Sequence, residues 1–250
     1  MVSLLSSLTF DDISPTFLSS AKFEKLIEFL NEMGVKGTFF CVPYMLEKGD
    51  FVSCLKMALD CGHELALHGC VHAKNEFGGF YPIPLPLPFP SLERQKANLE
   101  KGVKKIIALT GMRPSGFRAP FYLHNYCTLK ALSSLGFRYD SSATFFKPAY
   151  NMRLRLRWLR IRKPFVTNGV MEFPVCGDYT YSVRNGNSGA FLVQAIKDFE
   201  RVKSHGGVFV LDNHPQRFSE ISYRFLSTLV KKLSGKTKFV KLRDAFEICR

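Results

Sequence analysis

The sequence predicts an α/β fold organised on a mainly parallel β-sheet. Short apolar, β-rich runs alternate with longer helical patterns, the rhythm of consecutive βαβ units. Glycines stand just past the ends of several helical patterns, at Gly34, Gly62, Gly111 and Gly136, where a left-handed residue commonly ends a helix. A chain of 250 residues, 46% of them hydrophobic and 22% charged, is long and apolar enough to bury the core of one large domain.

Taken in order, Leu4–Phe10 reads as a strand and Phe17–Met33 as a helix. Gly37–Val42 (GTFFCV) is a buried strand, Phe51–Cys61 a helix and Glu64–Leu67 a short strand. Ser91 is placed to cap a long helix that runs to Leu109. Gly116–Arg118 is the next strand and Tyr126–Leu135 the next helix. Beyond an irregular middle the rhythm resumes with helix Ala190–Ser204, strand Val208–Leu211, helix Phe218–Leu233 and strand Lys238–Lys241. With the irregular middle left open, the count comes to about seven strands, which suits a barrel or an open sheet. No internal repeat or linker interrupts the chain, so a single domain over residues 1–250 is expected.

The balance of 35 Lys+Arg against 21 Asp+Glu gives a net charge of +14, which favours anionic partners such as nucleic acid, phosphorylated sugars or an acidic membrane surface. Seven cysteines lie scattered without a CxxC pair, a pattern of reduced thiols rather than of a disulfide framework. Met1–Leu8 lacks a basic n-region and a signal-length apolar run. No apolar run reaches the roughly 18–20 residues of a membrane-spanning helix. The expectation is a cytoplasmic chain that can touch a membrane peripherally.

Two stretches break the βα rhythm. Phe77–Pro90 (FGGFYPIPLPLPFP) holds five of the 13 prolines at alternate positions, so it reads as an extended, polyproline-like loop. It is either an apolar wall for a substrate's lipid or sugar rings, or a crossover packed on the barrel edge. Lys147–Lys163 has seven basic residues and no acidic one, half of the net charge. Its apolar residues fit a helical face while Arg153, Arg155 and Arg157 alternate as in a strand, so it suits an anionic membrane, a phosphate backbone or a plain solvated hairpin.

Four polar motifs each follow an apolar run. Asp11 and Asp12 are adjacent carboxylates at a strand end, able to take different roles, one on a metal and one moving protons. On their own they also fit a strand end followed by a helix cap. His68 and His72 (HGCVH) are spaced so that both imidazoles can reach one ion, and with a carboxylate they suit a borderline metal such as zinc. Arg118 in GFRAPF can hold a neighbouring carboxylate ionised and oriented, or can be an ordinary surface residue. His214 ends VFVLDNHP, where an imidazole can serve as a general acid or base. In a βα fold the C-terminal strand ends share one rim, so four such motifs at strand ends point to one site.

In the order TFDD, H-x3-H, R-x-P and L-x-x-H, the chain resembles the NodB-homology polysaccharide deacetylases, the fourth family of carbohydrate esterases, over about residues 5–245. GTFF, GHELALHGCVH and GMRPSGFRAPF are similar to that family's surroundings, and the DDISP and ELALHG spellings resemble a divergent, intracellular-type branch. The resemblance implies a distorted (β/α)7 barrel. It implies Asp12, His68 and His72 as ligands of one divalent metal, zinc or else cobalt or another divalent ion. It further implies Asp11 as catalytic base, Arg118 as the arginine orienting that base, His214 as catalytic acid and the backbone N–H of Phe121 as an oxyanion donor. Three positions depart from the family pattern. Gly69 stands where a Ser or Thr usually follows the first metal histidine, Phe121 stands where a Tyr is usual, and the Asp-Trp region that buttresses the acid histidine has no clear match. Glu172 and Asp178 both lie near its expected place, and the sequence does not choose between them.

The function implied is metal-dependent hydrolysis of the acyl amide of an N-acetylated sugar or glycan, with a lipid-phosphate- or nucleotide-linked sugar suggested by the basic stretch and the apolar loop. The alternative is a non-catalytic carbohydrate-binding protein on a degenerate deacetylase scaffold. A nucleic-acid-binding protein is supported by the charge alone, since the chain has no RNP-like motif and its aromatic residues fall in core-like runs.

Overall fold

The strand β1 (Leu5–Ile13) is the spine of the molecule, with all nine residues buried. Burial on both faces is what a strand in the middle of a helix-covered parallel sheet requires. Its even-numbered apolar residues, Leu8 and Phe10, belong to the layer between sheet and helices. Leu5 packs inside the curl of the sheet with Phe40, Tyr139, Phe173 and Val210. Because side chains alternate along a strand, Ser7, Thr9 and Asp11 follow Leu5 onto that inner face. Polar residues at the end of the inner row are what make a site possible there.

In the computed structural model residues 4–46, 49–78, 90–144 and 163–250 are described. Besides β1 the sheet contains β2 (Thr38–Cys41), β3 (Glu64–Leu67), β4 (Gly116–Phe117), β5 (Tyr139–Asp140), β6 (Phe165–Thr167), β7 (Val170–Glu172), β8 (Val175–Gly177), β9 (Val208–Asn213) and β10 (Lys238–Phe239). The order is β6-β7-β5-β4-β3-β2-β1-β9-β8, with β10 beside β1. Every pairing is parallel except the β6–β7 hairpin. The sheet curls into a half-barrel, and a bridge between Thr144 and Val175 joins its two sides. This agrees with the α/β fold and distorted barrel expected from sequence.

The helices are α1 (Ser20–Glu32), α2 (Gly49–Asp60), α3 (Leu92–Thr110), α4 (Tyr126–Ser134), α5 (Ser188–Ser204), α6 (Glu220–Leu233) and α7 (Leu242–Cys249). Ser91 caps α3 by accepting from Arg94 N, and Gly111 ends it at φ 74°. The first helix begins at Ser20 rather than Phe17, because Ser19 takes the cap position and accepts from Lys22 N. Sequence reading overlooked β5, the β6–β7 hairpin, β8 and α7. β5 and β8 are too short to show a period. The hairpin turns on Asn168-Gly169, both at positive φ, a readable turn signal. Among the described residues no helix is long and apolar enough to cross a membrane. Most of the proline-rich stretch (79–89) and of the basic stretch (145–162) lies outside the described residues.

Candidate functional site

The site forms where β1, β3, β4 and β9 end on one rim. At the end of β1 the pairing with β2 slips between Phe10 and Ile13, and Asp12 adopts φ 62°. A bulge with a left-handed residue re-aims a side chain, so two consecutive carboxylates can face one space. Left-handed φ values recur at His72 (61°) and Phe121 (57°). Strain at non-glycine residues persists only where surrounding structure enforces it, and it gathers at functional sites.

Asp12, His68 and His72 offer ligand atoms that all lie within 4.8 Å of one another. His72 Nε2 is 2.8 Å and His68 Nε2 3.4 Å from Asp12 Oδ1. The carbonyl of Arg118 can only accept, so His68 Nδ1, 3.0 Å away, carries the proton there and leaves the Nε2 lone pair toward Asp12. Gln216 Nε2 donates to Asp12 Oδ2 at 2.6 Å, whereas Oδ1 is buried without an aligned donor. Two imidazole nitrogens and an unsatisfied carboxylate oxygen, converging under cover, fit a borderline divalent ion. Burial would raise the Asp12 carboxyl, but His68 and His72 outweigh it and hold it far below the usual range. Burial likewise disfavours a charged His68, yet Asp11 and Asp12 raise its pKa, the response of an imidazole set among carboxylates.

The loop between the two histidines is held by Glu76, which sequence reading missed. Its carboxylate accepts from the backbone of Cys70, from Val71 at 3.2 Å and from Ala73 at 3.3 Å. Gly69, at φ 65°, admits this carboxylate: a Cβ there would lie 2.8 Å from Glu76 Oε2 and 2.7 Å from Pro120 Cγ. Glu76, seven residues downstream of Gly69, thus braces the loop with its carboxylate.

Arg118 is fully buried. Its Nη1 donates to Asp11 Oδ1 at 2.8 Å, to Asp212 Oδ1 at 2.9 Å and to Thr9 Oγ1 at 2.9 Å. Nε and Nη2 donate to the carbonyl and hydroxyl of Ser141, each at 2.8 Å, and the guanidinium stacks 4.2 Å from the Phe40 ring. Asp212 was also missed, although it lies two residues before His214. Burial first, and then the Asp11 charge, push its carboxyl upward. The Tyr122 hydroxyl donates to Asp212 Oδ2; burial and that same carboxylate raise the phenol well above its ordinary value.

His214 Nδ1 lies 3.0 Å from Asp178 Oδ2, and Nε2 lies 3.9 Å from Asp12 Oδ2. Burial disfavours the charged ring, but Asp212 and Asp178 raise its pKa well above the usual value. Of the two carboxylates open from sequence, Asp178 stands beside His214. Glu172 instead accepts from Ala143 N at 3.0 Å. Asp11, Asp12, His68, His72, Arg118 and His214 therefore form one cluster, four of them buried and the rings of His72 and His214 partly open to solvent. Phe121 borders it, its ring 4.7 Å from that of His72.

Residues 5–139 match the family model described as Polysaccharide deacetylase. A peptidoglycan deacetylase of Helicobacter pylori is 29% identical over 154 residues, 60% of this chain and 47% of that protein. The chain thus spans about half the length of that curated relative. A crystal structure from Mycobacterium smegmatis, assigned to the polysaccharide deacetylases, superposes with a TM-score of 0.74 at 19% identity, covering 98% of this chain and 90% of the other. A family 4 acetyl xylan esterase of Clostridium thermocellum, solved with a cobalt ion, gives 0.59 at 17% identity, covering 98% and 91%.

Proposed function

The chain belongs to the polysaccharide deacetylase family, and on that premise we propose that it removes the acetyl group from the nitrogen of an N-acetylated amino sugar, using one divalent ion, zinc in our reading. The observation that carries the proposal is the continuity of the cluster: an Asp-His-His triad, a carboxylate held by a buried arginine and a carboxylate-backed histidine share one rim.

Asp12, His68 and His72 would hold the ion, which when bound polarises an acyl carbonyl and makes water more acidic. Asp11 takes the proton of the attacking water, its carboxylate fixed in place by Arg118. The backbone N–H of Phe121 donates to the oxygen that becomes negative as the carbonyl is attacked. One such donor typically contributes about 3 kcal/mol to the transition state. His214 delivers a proton to the departing amine, and Asp178 keeps the ring oriented and charged until then. Asp212 and Tyr122 lock Arg118 from behind.

For the substrate we propose a phosphate-linked N-acetyl sugar, on a lipid carrier or a nucleotide. Support comes from the net charge of +14 and from the run of seven basic residues between Lys147 and Lys163. Efficient deacetylation of neutral chito-oligosaccharides, with phosphorylated sugars ignored, would remove that part of the reading.

The test of the whole is metal content beside amide hydrolysis. Wild type should hold a transition metal at the triad that His68→Ala loses. Asp11→Asn should retain that metal while turnover falls about 10³-fold. Near-normal turnover in Asp11→Asn takes the base role from Asp11. Zinc loading that gives the same content in wild type and His68→Ala, with no turnover in either, points to the binding-protein alternative.

A further inference from the structure

A second constellation on the same rim has no part in the reaction above. Asp140 ends β5 and Glu172 ends β7, and the two are direct partners in the parallel register. Both are buried, at 0% and 2% exposure. Like charges placed opposite each other on neighbouring strands repel, and burial makes the repulsion costly. Among the described residues neither carboxylate makes an ion pair with a Lys or Arg, while every cationic group of the Arg118 guanidinium is spent on Asp11, Asp212, Thr9 and Ser141.

The polar contacts that do exist leave an acceptor oxygen over. Asp140 Oδ1 accepts from the Ser142 hydroxyl at 2.6 Å, whereas Oδ2 is buried with no hydrogen-bond donor. Glu172 Oε1 takes the amide of Ala143. The partly exposed His124 completes the group: one ligand atom each from His124, Asp140 and Glu172 lies within 4.8 Å of the other two. His124 Nδ1 lies 3.1 Å from the Tyr122 carbonyl, which can only accept, so it carries the proton and Nε2 keeps its lone pair. An orphaned buried carboxylate oxygen, a second carboxylate and an oriented imidazole make a cation cradle.

We propose that His124, Asp140 and Glu172 form a second divalent-cation site, separate from the Asp12 triad. Two carboxylates and one imidazole suit a borderline or hard ion such as zinc, manganese or cobalt. Partly exposed His124 supplies the way in. The site's position gives it a task. Ala119 N donates to Ser142 Oγ at 2.8 Å, and that hydroxyl donates to Asp140. An ion joining Asp140 to His124 would therefore clamp both ends of the segment 119–124, which carries the strained Phe121 and Tyr122. The second ion would be a positioning element for the oxyanion donor. Without an ion, burial and the Asp140 charge drive the Glu172 carboxyl well above its usual range, so that a proton holds the pair instead.

The competing outcomes are an ion or a shared proton, and metal counting separates them. The full chain would be stripped with chelator, reloaded with Zn2+, dialysed and measured by elemental mass spectrometry. Two equivalents are expected in wild type and one each in His124→Ala, Glu172→Gln and His68→Ala. Glu172→Gln preserves the shape and the acceptor for Ala143 N, so its loss of zinc would not reflect misfolding. Equal zinc in wild type, His124→Ala and Glu172→Gln, at any value, overturns the second site. One equivalent in wild type that is lost in His124→Ala but kept in His68→Ala would support this site and sink the triad instead.

Discussion

Strand β3 ends in two kinds of polar chemistry. At its start Glu64 is buried with every oxygen satisfied. Tyr139 Oη donates to it at 2.9 Å, Thr38 Oγ1 and Arg243 N each at 3.0 Å, and Ser115 Oγ at 3.4 Å. The Tyr139 ring crosses Gly116 to get there, passing where any Cβ would stand. The network ties the N-terminus of α7 to the bottom of the sheet, and Thr38 Oγ1 also accepts from Leu242 N. At the other end, past Leu67, the rim holds Asp12 Oδ1, Asp140 Oδ2 and Gln216 Oε1, three buried side-chain atoms without a hydrogen-bond partner among the described residues. A native fold leaves few such atoms, and each calls for a reason. The satisfied end is scaffold; the unsatisfied end is poised for something the chain does not itself supply.

The largest expected effect lies at the rim. Arg118→Met should leave Asp11 and Asp212 buried without their cation and cost about 3–5 kcal/mol, read as a drop in the urea midpoint. Adding Asp212→Asn should recover part of that loss, because one of the two stranded charges disappears, yet turnover should stay low with Asp11 unoriented. A loss under about 1 kcal/mol would mean that the rim relaxes without its arginine, and the contrast between the two ends would fail.

Next comes the scaffold end. Glu64→Ala strands the donors of Tyr139, Thr38 and the α7 N-terminus and should cost about 2–4 kcal/mol. Here the contrast makes a sharper demand: turnover and metal content per folded molecule should stay within twofold of wild type. A Glu64→Ala protein that remains folded but loses its metal would show that the two ends are mechanically one unit.

The legibility of the two ends differs for the same physical reason. Asp11, Asp12, His68, His72, Arg118 and His214 could be read because each is a reactive residue type set after a short apolar run. Glu76, Tyr122, Asp212 and Gln216 could not. They act by filling another residue's hydrogen-bonding capacity, and that pairing has no spacing along the chain: Arg118 and Asp212 are joined across 94 positions. Asp178 was one of two readings until the fold put it beside His214. Helices were legible through their caps and their apolar faces, whereas β5 and β8 take their form from neighbours in the curl. The Asn168-Gly169 hairpin is a different case, since its turn signal was present in the sequence and was passed over.

The smallest effect tests the exception at the scaffold end. His63 Nδ1 accepts from Gly37 N at 3.0 Å, and its Nε2 is a buried orphan. Burial, followed by the charges of Lys36 and Lys241, lowers its pKa to about 4 from 6.5. The unfolded chain therefore binds a proton below pH 6.5 that the folded protein refuses. Stability from this residue is complete above pH 6.5 and declines as the pH falls toward 4. Across that window the loss should be about 2–3 kcal/mol. His63→Gln keeps an acceptor for Gly37 N but cannot titrate, so the stability difference between wild type and variant should shift by that amount from pH 7 to pH 4.5. Turnover at pH 7 should not change. If His63→Gln instead lowers turnover while the acid dependence of stability stays as in wild type, an orphaned atom at the bottom of the sheet belongs with those at the rim, and the line between scaffold and site must be drawn elsewhere.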